Sequence, residues 1–466
     1  MNMRPDNVTD LNRRDFLRGS SFATLMALMG GVPINAAEDK KEAQPANADG
    51  TTNYTGERIP VKLGVVGCGL WAREILKTLS LLPHGPVVAI CDTYAPYLKR
   101  AGDQLAPKAE RFDDYRKLLE NKEVQGVIVA TPSHLHKDIV LAALAAGKHV
   151  YCEAPMATTI EDARAIAKAA NAAFKLNFQV GLQNRADKQL LNLCNFIRTG
   201  VLGRVVKGRA QFHNKTSWRF SSPNPEREKE INWRLSKELS LGLVGERGIH
   251  QVDVASWYLL ARPLSVTGFG ALIQWKDGRD VPDTVEAVFE YPGGVCVSYE
   301  STLGNSFDAE SAMFYGTDCA IMMRDRRAWM FKEVDAPLLG WEVYAKKDAF
   351  YKESGIVLGA GATKQEAQKA KPTQEVVDEK SALQYALESF LHNSNLIGSG
   401  VEDFAAAFDI KDTAALKEYL AGLEKNRLPA AGYQDGYEAA VTVIKANEAI
   451  VKGQKIAFQK EWFELS

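Results

Sequence analysis

The sequence predicts an α/β protein: an N-terminal doubly wound parallel sheet, followed by a C-terminal α/β domain with a large open, mainly antiparallel sheet. Three observations point there. An apolar strand, Val61 to Val66, runs straight into Gly67-Cys68-Gly69-Leu70-Trp71-Ala72 and then into a helix. Short buried strands and helices alternate from there to Val180. Beyond Leu182, β-rich segments follow one another closely, separated by turn signals such as Pro292-Gly293-Gly294.

Each element has its own justification. Gly67 permits a tight turn, Gly69 removes the Cβ that would keep a ligand off the backbone, and Ala72 allows close packing of helix on strand. Ile75, Leu79 and Leu82 recur at helical spacing until Pro83 stops the run. Val87–Cys91 reads as a buried strand ending in Asp92, Val127–Ala130 as another, Asp138–Ala146 as an Ala/Leu-rich helix and His149–Cys152 as a further strand. Thr158-Thr159-Ile160-Glu161 has the spacing of a capping box for a helix reaching Ala173. Asn177–Val180 is then the last strand, which gives a first domain over residues 59–182 and a second over 183–466. The second opens with a helix to Arg198 and has strands around Arg204–Phe212, Val266–Trp275, Val285–Tyr291, Val295–Ser301 and Ala312–Tyr315. Helices run from Ser381 to Asn393 and from Tyr437 to Lys452, whereas Lys332 to Lys380 has no clear pattern.

Strand, glycine turn, helix N-terminus and a second strand ending in an acid make up a dinucleotide-binding Rossmann fingerprint. The helix start offers unpaired N–H groups to a pyrophosphate. Asp92 is placed to accept both ribose hydroxyls and to repel a 2′-phosphate, so NAD is expected and NADP less so.

Composition narrows the field. With 46% hydrophobic residues, 466 residues can fill more than one core. Lys+Arg 57 against Asp+Glu 58, net charge −1 and no long basic run argue against a nucleic-acid partner, and no stable membrane anchor is expected. The six cysteines are scattered and read as buried thiols; no metal site is expected. At the N-terminus, Arg13-Arg14-Asp15-Phe16-Leu17 precedes a modestly apolar run and Asn35-Ala36-Ala37, which resembles a twin-arginine export signal over residues 1–36. Residues 37–58 then read as a linker, and a periplasmic or extracellular location follows.

Three segments carry candidate chemistry. Thr131-Pro132-Ser133-His134-Leu135-His136 and Cys152-Glu153-Ala154-Pro155 leave the carboxyl ends of parallel strands, the edge where ligands bind such sheets. Glu246-Arg247-Gly248-Ile249-His250-Gln251-Val252-Asp253 begins an apolar helix in the second domain. Between Arg209 and Arg234, basic and aromatic residues interleave, including Phe212, Trp218, Arg219, Trp233 and Arg234, as in a carbohydrate site or a packed sheet edge.

With Gln183-Asn184-Arg185, Thr199-Gly200, Gly203-Arg204 and Tyr315-Gly316-Thr317, these segments resemble the Gfo/Idh/MocA family. The resemblance implies NAD(P)-dependent oxidation or reduction of a sugar or cyclitol hydroxyl in a homo-oligomer. It implies cofactor contacts from Gly67, Gly69, Leu70, Asp92, Thr131, Pro132, His136, Glu153 and Gln183. The family's usual Glu-Lys-Pro is Glu153-Ala154-Pro155 here, and its Asp/His pair falls on Glu246 and His250. His250 is the expected general base, with Glu246 and Asp253 one helical turn to either side as helpers. Two alternatives stand beside this: an NAD-dependent glycosidase or lyase working by transient oxidation and elimination, and a non-catalytic sugar-binding protein.

Overall fold

The computed structural model describes residues 59–324, 327–340, 342, 347–350, 353–358 and 380–465; the expected export signal and the linker lie outside them. The first sheet is formed by β1 (Leu63–Val66), β2 (Val87–Cys91), β3 (Glu110–Phe112), β4 (Gly126–Val129), β5 (His149–Cys152) and β6 (Phe178–Val180). All neighbours are parallel, in the order β3-β2-β1-β4-β5-β6. Helices α1 (Leu70–Leu79), α2 (Ala95–Gln104), α3 (Tyr115–Glu120), α4 (His136–Ala145) and α5 (Ile160–Ala172) make the crossovers. Strand order reverses between β1 and β4, and such a switch point opens a crevice at the strand carboxyl ends.

Pattern explains these elements. Every residue of β1, and likewise of β4, is buried, as a strand covered on both faces must be. Helix α1 buries Ala72, Ile75, Leu76 and Leu79 along one stripe. The cap of α5 lies one residue later than expected, with the Thr159 hydroxyl accepting from the Asp162 N–H.

The second part contains α6 (Lys188–Phe196), β7 (Val205–His213), α7 (Pro225–Ile231), α8 (Gly242–Glu246), α9 (Gly248–Leu259) and a ten-stranded sheet. Its other strands are β8 (Ser265–Ala271), β9 (Thr284–Glu290), β10 (Cys296–Thr302), β11 (Glu310–Gly316), β12 (Cys319–Arg324), β13 (Arg327–Lys332), β14 (Lys347–Phe350), β15 (Glu353–Leu358) and β16 (Ile456–Ala457). Only the β7–β10 pairing is parallel. Strands β14 and β15 supply structure within the stretch that has no clear sequence pattern. The six cysteines are all free, and Cys296 is exposed where a buried thiol was expected.

Three further helices follow: α10 (Ala382–Ala407), α11 (Thr413–Gly422) and α12 (Tyr433–Lys452). Helix α10 begins where expected but runs past Asn393. Its Leu383, Leu387, Phe390 and Leu391 pack into one core with Leu63 and Val65 of β1 and Ile75 and Leu79 of α1. The first sheet therefore takes a covering helix from far down the chain, which a boundary at Leu182 does not foresee. On the opposite face, Val66, Val127 and Val129 belong to a core that continues into the second sheet.

Candidate functional site

The glycine turn after β1 is shaped by two different constraints. Gly67 has φ +96°, and a Cβ there would lie 2.6 Å from the Ala130 carbonyl oxygen. At Gly69 a Cβ would meet nothing within 4 Å, and no side chain caps α1. Clear space over an uncapped helix N-terminus suits a pyrophosphate. Leu70 and Trp71, 52% and 39% exposed, stand beside that approach.

Asp92 leaves β2 and braces the same turn. Its carboxylate accepts from the Cys68 N–H and from the Tyr94 N–H, each at 2.7 Å. Burial raises its pKa, while these amides and the charge of Arg227 oppose the rise. Each oxygen keeps acceptor capacity for a ribose hydroxyl. Arg227, on α7 of the second part, lies over Tyr94 at 4.4 Å and close to Tyr97 at 5.6 Å. Its Nε is buried with no hydrogen-bond partner among the described residues.

At the exits of β4 and β5, Thr131 Oγ1, His134 Nδ1 and Glu153 Oε1 are buried with no partner among the described residues. Such atoms are costly unless a ligand or water satisfies them, so the edge fits a dinucleotide whose ribose and carboxamide would supply the missing bonds. Pro132 leads into the turn Ser133–Leu135, and Gln183 opens the turn after β6. Gly181 makes room for Glu153, since a Cβ there would lie 2.6 Å from Oε2. Burial pushes the Glu153 carboxyl up to about 7, against the lowering pull of the Trp71 indole and the Ala154 N–H.

His136 requires a correction. It is 1% exposed, with Nδ1 3.1 Å from the Pro155 carbonyl and Nε2 2.9 Å from the Thr131 carbonyl. Burial holds it down to about 4, so the ring is neutral and carries one N–H, which it donates to one of these two carbonyls. Its full burial between the two strand-exit loops sets it apart from the expected cofactor contacts.

The second part meets this edge through the α8–α9 junction. A Cβ at Gly248 would fall 2.8 Å from the Tyr299 ring, so glycine lets the junction settle against the sheet. Glu246 has one oxygen 3.5 Å from Arg234 Nε and the other buried without a partner among the described residues. Burial raises its pKa, offset in part by Arg234 and Arg247. The Trp233 ring meets His134 of the β4 exit edge-on at 5.8 Å. Asp253 is 3% exposed and accepts from Arg185 Nε at 2.9 Å and from its terminal nitrogen at 2.8 Å. The same guanidinium reaches Asp435 at 2.7 Å. This corrects the second expectation: Asp253 is a buried anchor joining α9 to the β6 exit and α12, with no free oxygen edge for a substrate. His250 lies on α9, one turn before Asp253. Its ring is partly exposed and makes no hydrogen bond among the described residues, and burial followed by the charge of Arg247 lowers its pKa to about 4.

Sequence reasoning missed Arg227, and it named Arg185 in the Gln183-Asn184-Arg185 motif without giving it a role. Only the tertiary fold supplies their partners, Asp253 and Asp435 for Arg185 and Tyr94 and Tyr97 for Arg227. Arg234 falls inside the basic and aromatic stretch, which was the available signal.

Comparison with known proteins identifies the family of the chain. Residues 61–182 match a family described as an oxidoreductase family with an NAD-binding Rossmann fold, and residues 191–322 match the GFO/IDH/MocA C-terminal domain. An inositol 2-dehydrogenase of Salmonella paratyphi B (strain ATCC BAA-1250 / SPB7) is 31% identical over 202 residues, 43% of this chain and 54% of the relative. A glycosyl hydrolase family 109 protein of Shewanella baltica (strain OS155 / ATCC BAA-1091) is 25% identical, over 48% of this chain and 50% of the relative. The chain thus spans about half the length of these curated relatives. Among solved structures, levoglucosan dehydrogenase in complex with NADH and L-sorbose superimposes with TM-score 0.62 at 19% identity, covering 86% of this chain and 99% of that one.

Proposed function

Because this chain belongs to the Gfo/Idh/MocA family, we propose that it is an NAD-dependent oxidoreductase acting on a hydroxyl of a sugar or cyclitol. One observation supports the reading: Trp233, on the turn before α8, meets His134 at the β4 exit, and Asp253 of α9 pairs with Arg185 at the β6 exit, so the helix that carries His250 is held at the edge where the cofactor would bind. Gly67, Gly69 and the start of α1 would hold the pyrophosphate, Asp92 the ribose, and Thr131 and Glu153 the nicotinamide end. Bound NAD supplies the hydride acceptor.

The chain's own residues handle the proton and the orientation. A His250 pKa of about 4 keeps the imidazole neutral at pH 7, able to accept the proton of the substrate hydroxyl as its C–H bond delivers hydride. In the reverse direction the imidazolium returns that proton to the carbonyl oxygen. Glu246, one turn before the base, can hydrogen-bond a second hydroxyl of the substrate. Asp253 fixes the helix that carries the base. The Arg13-Arg14 leader supports export of the folded, cofactor-loaded chain.

His250→Ala is expected to lower kcat by about 10²–10⁴-fold, while calorimetry returns an unchanged NAD affinity. Retention of the parent rate would refute the assignment. The likeness to a glycosyl hydrolase family 109 protein favours one second reading, transient oxidation with elimination of a glycosidic leaving group. Release of free sugar without net NADH from a panel of glycosides distinguishes it.

A further inference from the structure

The second-domain wall of the crevice carries positive charge that hydride transfer from a neutral sugar does not require. The Arg234 guanidinium lies over the Trp233 ring at 4.4 Å, with its side chain 43% exposed. Its approach to a carboxylate is from Nε, 3.5 Å from Glu246, and its two terminal nitrogens make no hydrogen bond among the described residues. Arg247, next to Glu246 and one turn before His250, is exposed and sits 5.1 Å from the Phe212 ring. It makes no ion pair among the described residues. Elsewhere Arg219, Arg262 and Arg279 are each closed by a carboxylate: Glu228, Glu438 and Asp277 respectively.

Stacking on an aromatic face holds a guanidinium in place while leaving its hydrogen-bonding edge free. The two arginines flank a single carboxyl, Glu246, which pairs with Arg234 at 3.5 Å and makes no ion pair with Arg247. Glu310, the other acid that Arg247 senses, is already hydrogen-bonded by Gln251 at 2.6 Å. The two cations also oppose each other: the low-dielectric crevice wall and then the like charge of Arg234 lower the Arg247 pKa. Two stacked guanidiniums with free edges, beside the base, are built to receive an anion.

We propose that Arg234 and Arg247 form an anion receptor, and that the preferred substrates are sugars with an anionic substituent, a uronate or aldonate carboxylate or a sugar phosphate. The inference rests on the oxidoreductase reading above and sharpens its substrate class. It also supplies a cation from the second domain, where Ala154 offers only a methyl group. Guanidinium forks bind carboxylates and phosphates bidentately, whereas a neutral hydroxyl gains a single weaker bond. An anion beside Arg247 also offsets the charge that holds His250 low, so the base becomes stronger when substrate is in place.

The test uses full-length, NAD-loaded protein with glucuronate, glucose 6-phosphate, glucose and myo-inositol. NAD reduction is expected with a kcat/KM at least about tenfold higher for one of the anionic sugars than for glucose, and whichever of the two is preferred identifies the anion. In Arg234→Gln and Arg247→Gln, checked for folding by their melting curves, the ratio of anionic to neutral kcat/KM is expected to fall toward one. A ratio of one in the parent enzyme, or a ratio unchanged in both variants, overturns the receptor. If no sugar of any charge reduces NAD, the oxidoreductase reading itself fails. Calorimetric titration of the loaded protein with glucuronate and glucose 6-phosphate then still decides the receptor: heat for either that is lost in both variants supports it, and heat for neither overturns it.

Discussion

The two walls of the crevice are built on opposite principles. On the first-domain wall the backbone does most of the work: a left-handed glycine, an uncapped helix start and strand ends with unsatisfied polar atoms. On the second-domain wall, charged side chains from distant segments do it, with Arg185 held by Asp253 and Asp435 and with Arg234 leaning on Trp233 beside Glu246. Backbone geometry demands particular residues in a short run, so it leaves a local trace in the sequence. Side-chain networks need only that compatible groups meet, and they leave almost none.

Mutations on each wall should therefore fail differently. The largest effect is expected for Gly67→Val, whose Cβ would meet the Ala130 carbonyl at 2.6 Å in a left-handed backbone; the fold itself should be compromised. Gly69→Ala meets nothing within 4 Å, so its melting temperature should match the parent while NAD affinity, read by calorimetry, falls at least about tenfold. A Gly69→Ala variant that binds NAD normally would break the contrast. On the other wall, Asp253→Ala leaves Arg185 with only Asp435 and should cost about 3–5 kcal/mol in denaturant unfolding.

A pH series sharpens the comparison further. Glu153 has a folded pKa of about 7, above its usual carboxylate value, so ionising it costs stability. The penalty is absent at low pH, grows as pH rises from the usual carboxylate range through 7, and is complete above that. Glu153→Gln should therefore stabilise nucleotide-free protein at pH 8 by on the order of 3 kcal/mol, with the gain vanishing near pH 4, while weakening NAD-dependent turnover. His136 and His149, held neutral near 4 by burial, act at the other end: their contribution is lost as pH falls from the ordinary histidine range toward 4. The smallest effect is expected for Arg227→Ala. Losing the contact with Tyr94 should weaken NAD binding by about 1 kcal/mol, roughly fivefold, with little change in melting temperature.

The same contrast explains what the sequence disclosed. Gly67, Gly69 and Asp92 were legible because turn, helix and strand follow one another within a single unit. Glu246 and His250 were singled out through the family resemblance, and they stand at the end of α8 and the start of α9. His136 and Asp253 misled, because a histidine at a strand exit and an acid one turn past a base look the same whether they face a ligand or another loop. What decided their roles was the arrival of the Thr131 and Pro155 carbonyls in one case and of Arg185 in the other. Arg227 was out of reach of any local pattern, since its partners Tyr94 and Tyr97 lie far upstream.

Helix α10 has a consequence for how the protein is made. A chain still leaving the ribosome completes all strands of its first sheet by Val180, yet Leu383 to Leu391 must be synthesised before that sheet's second face is sealed. Half-finished or truncated products would expose the apolar flank of β1 and α1, a ready target for chaperones and proteases. Sealing waits for nearly the whole polypeptide, so the fold carries its own proofreading of length.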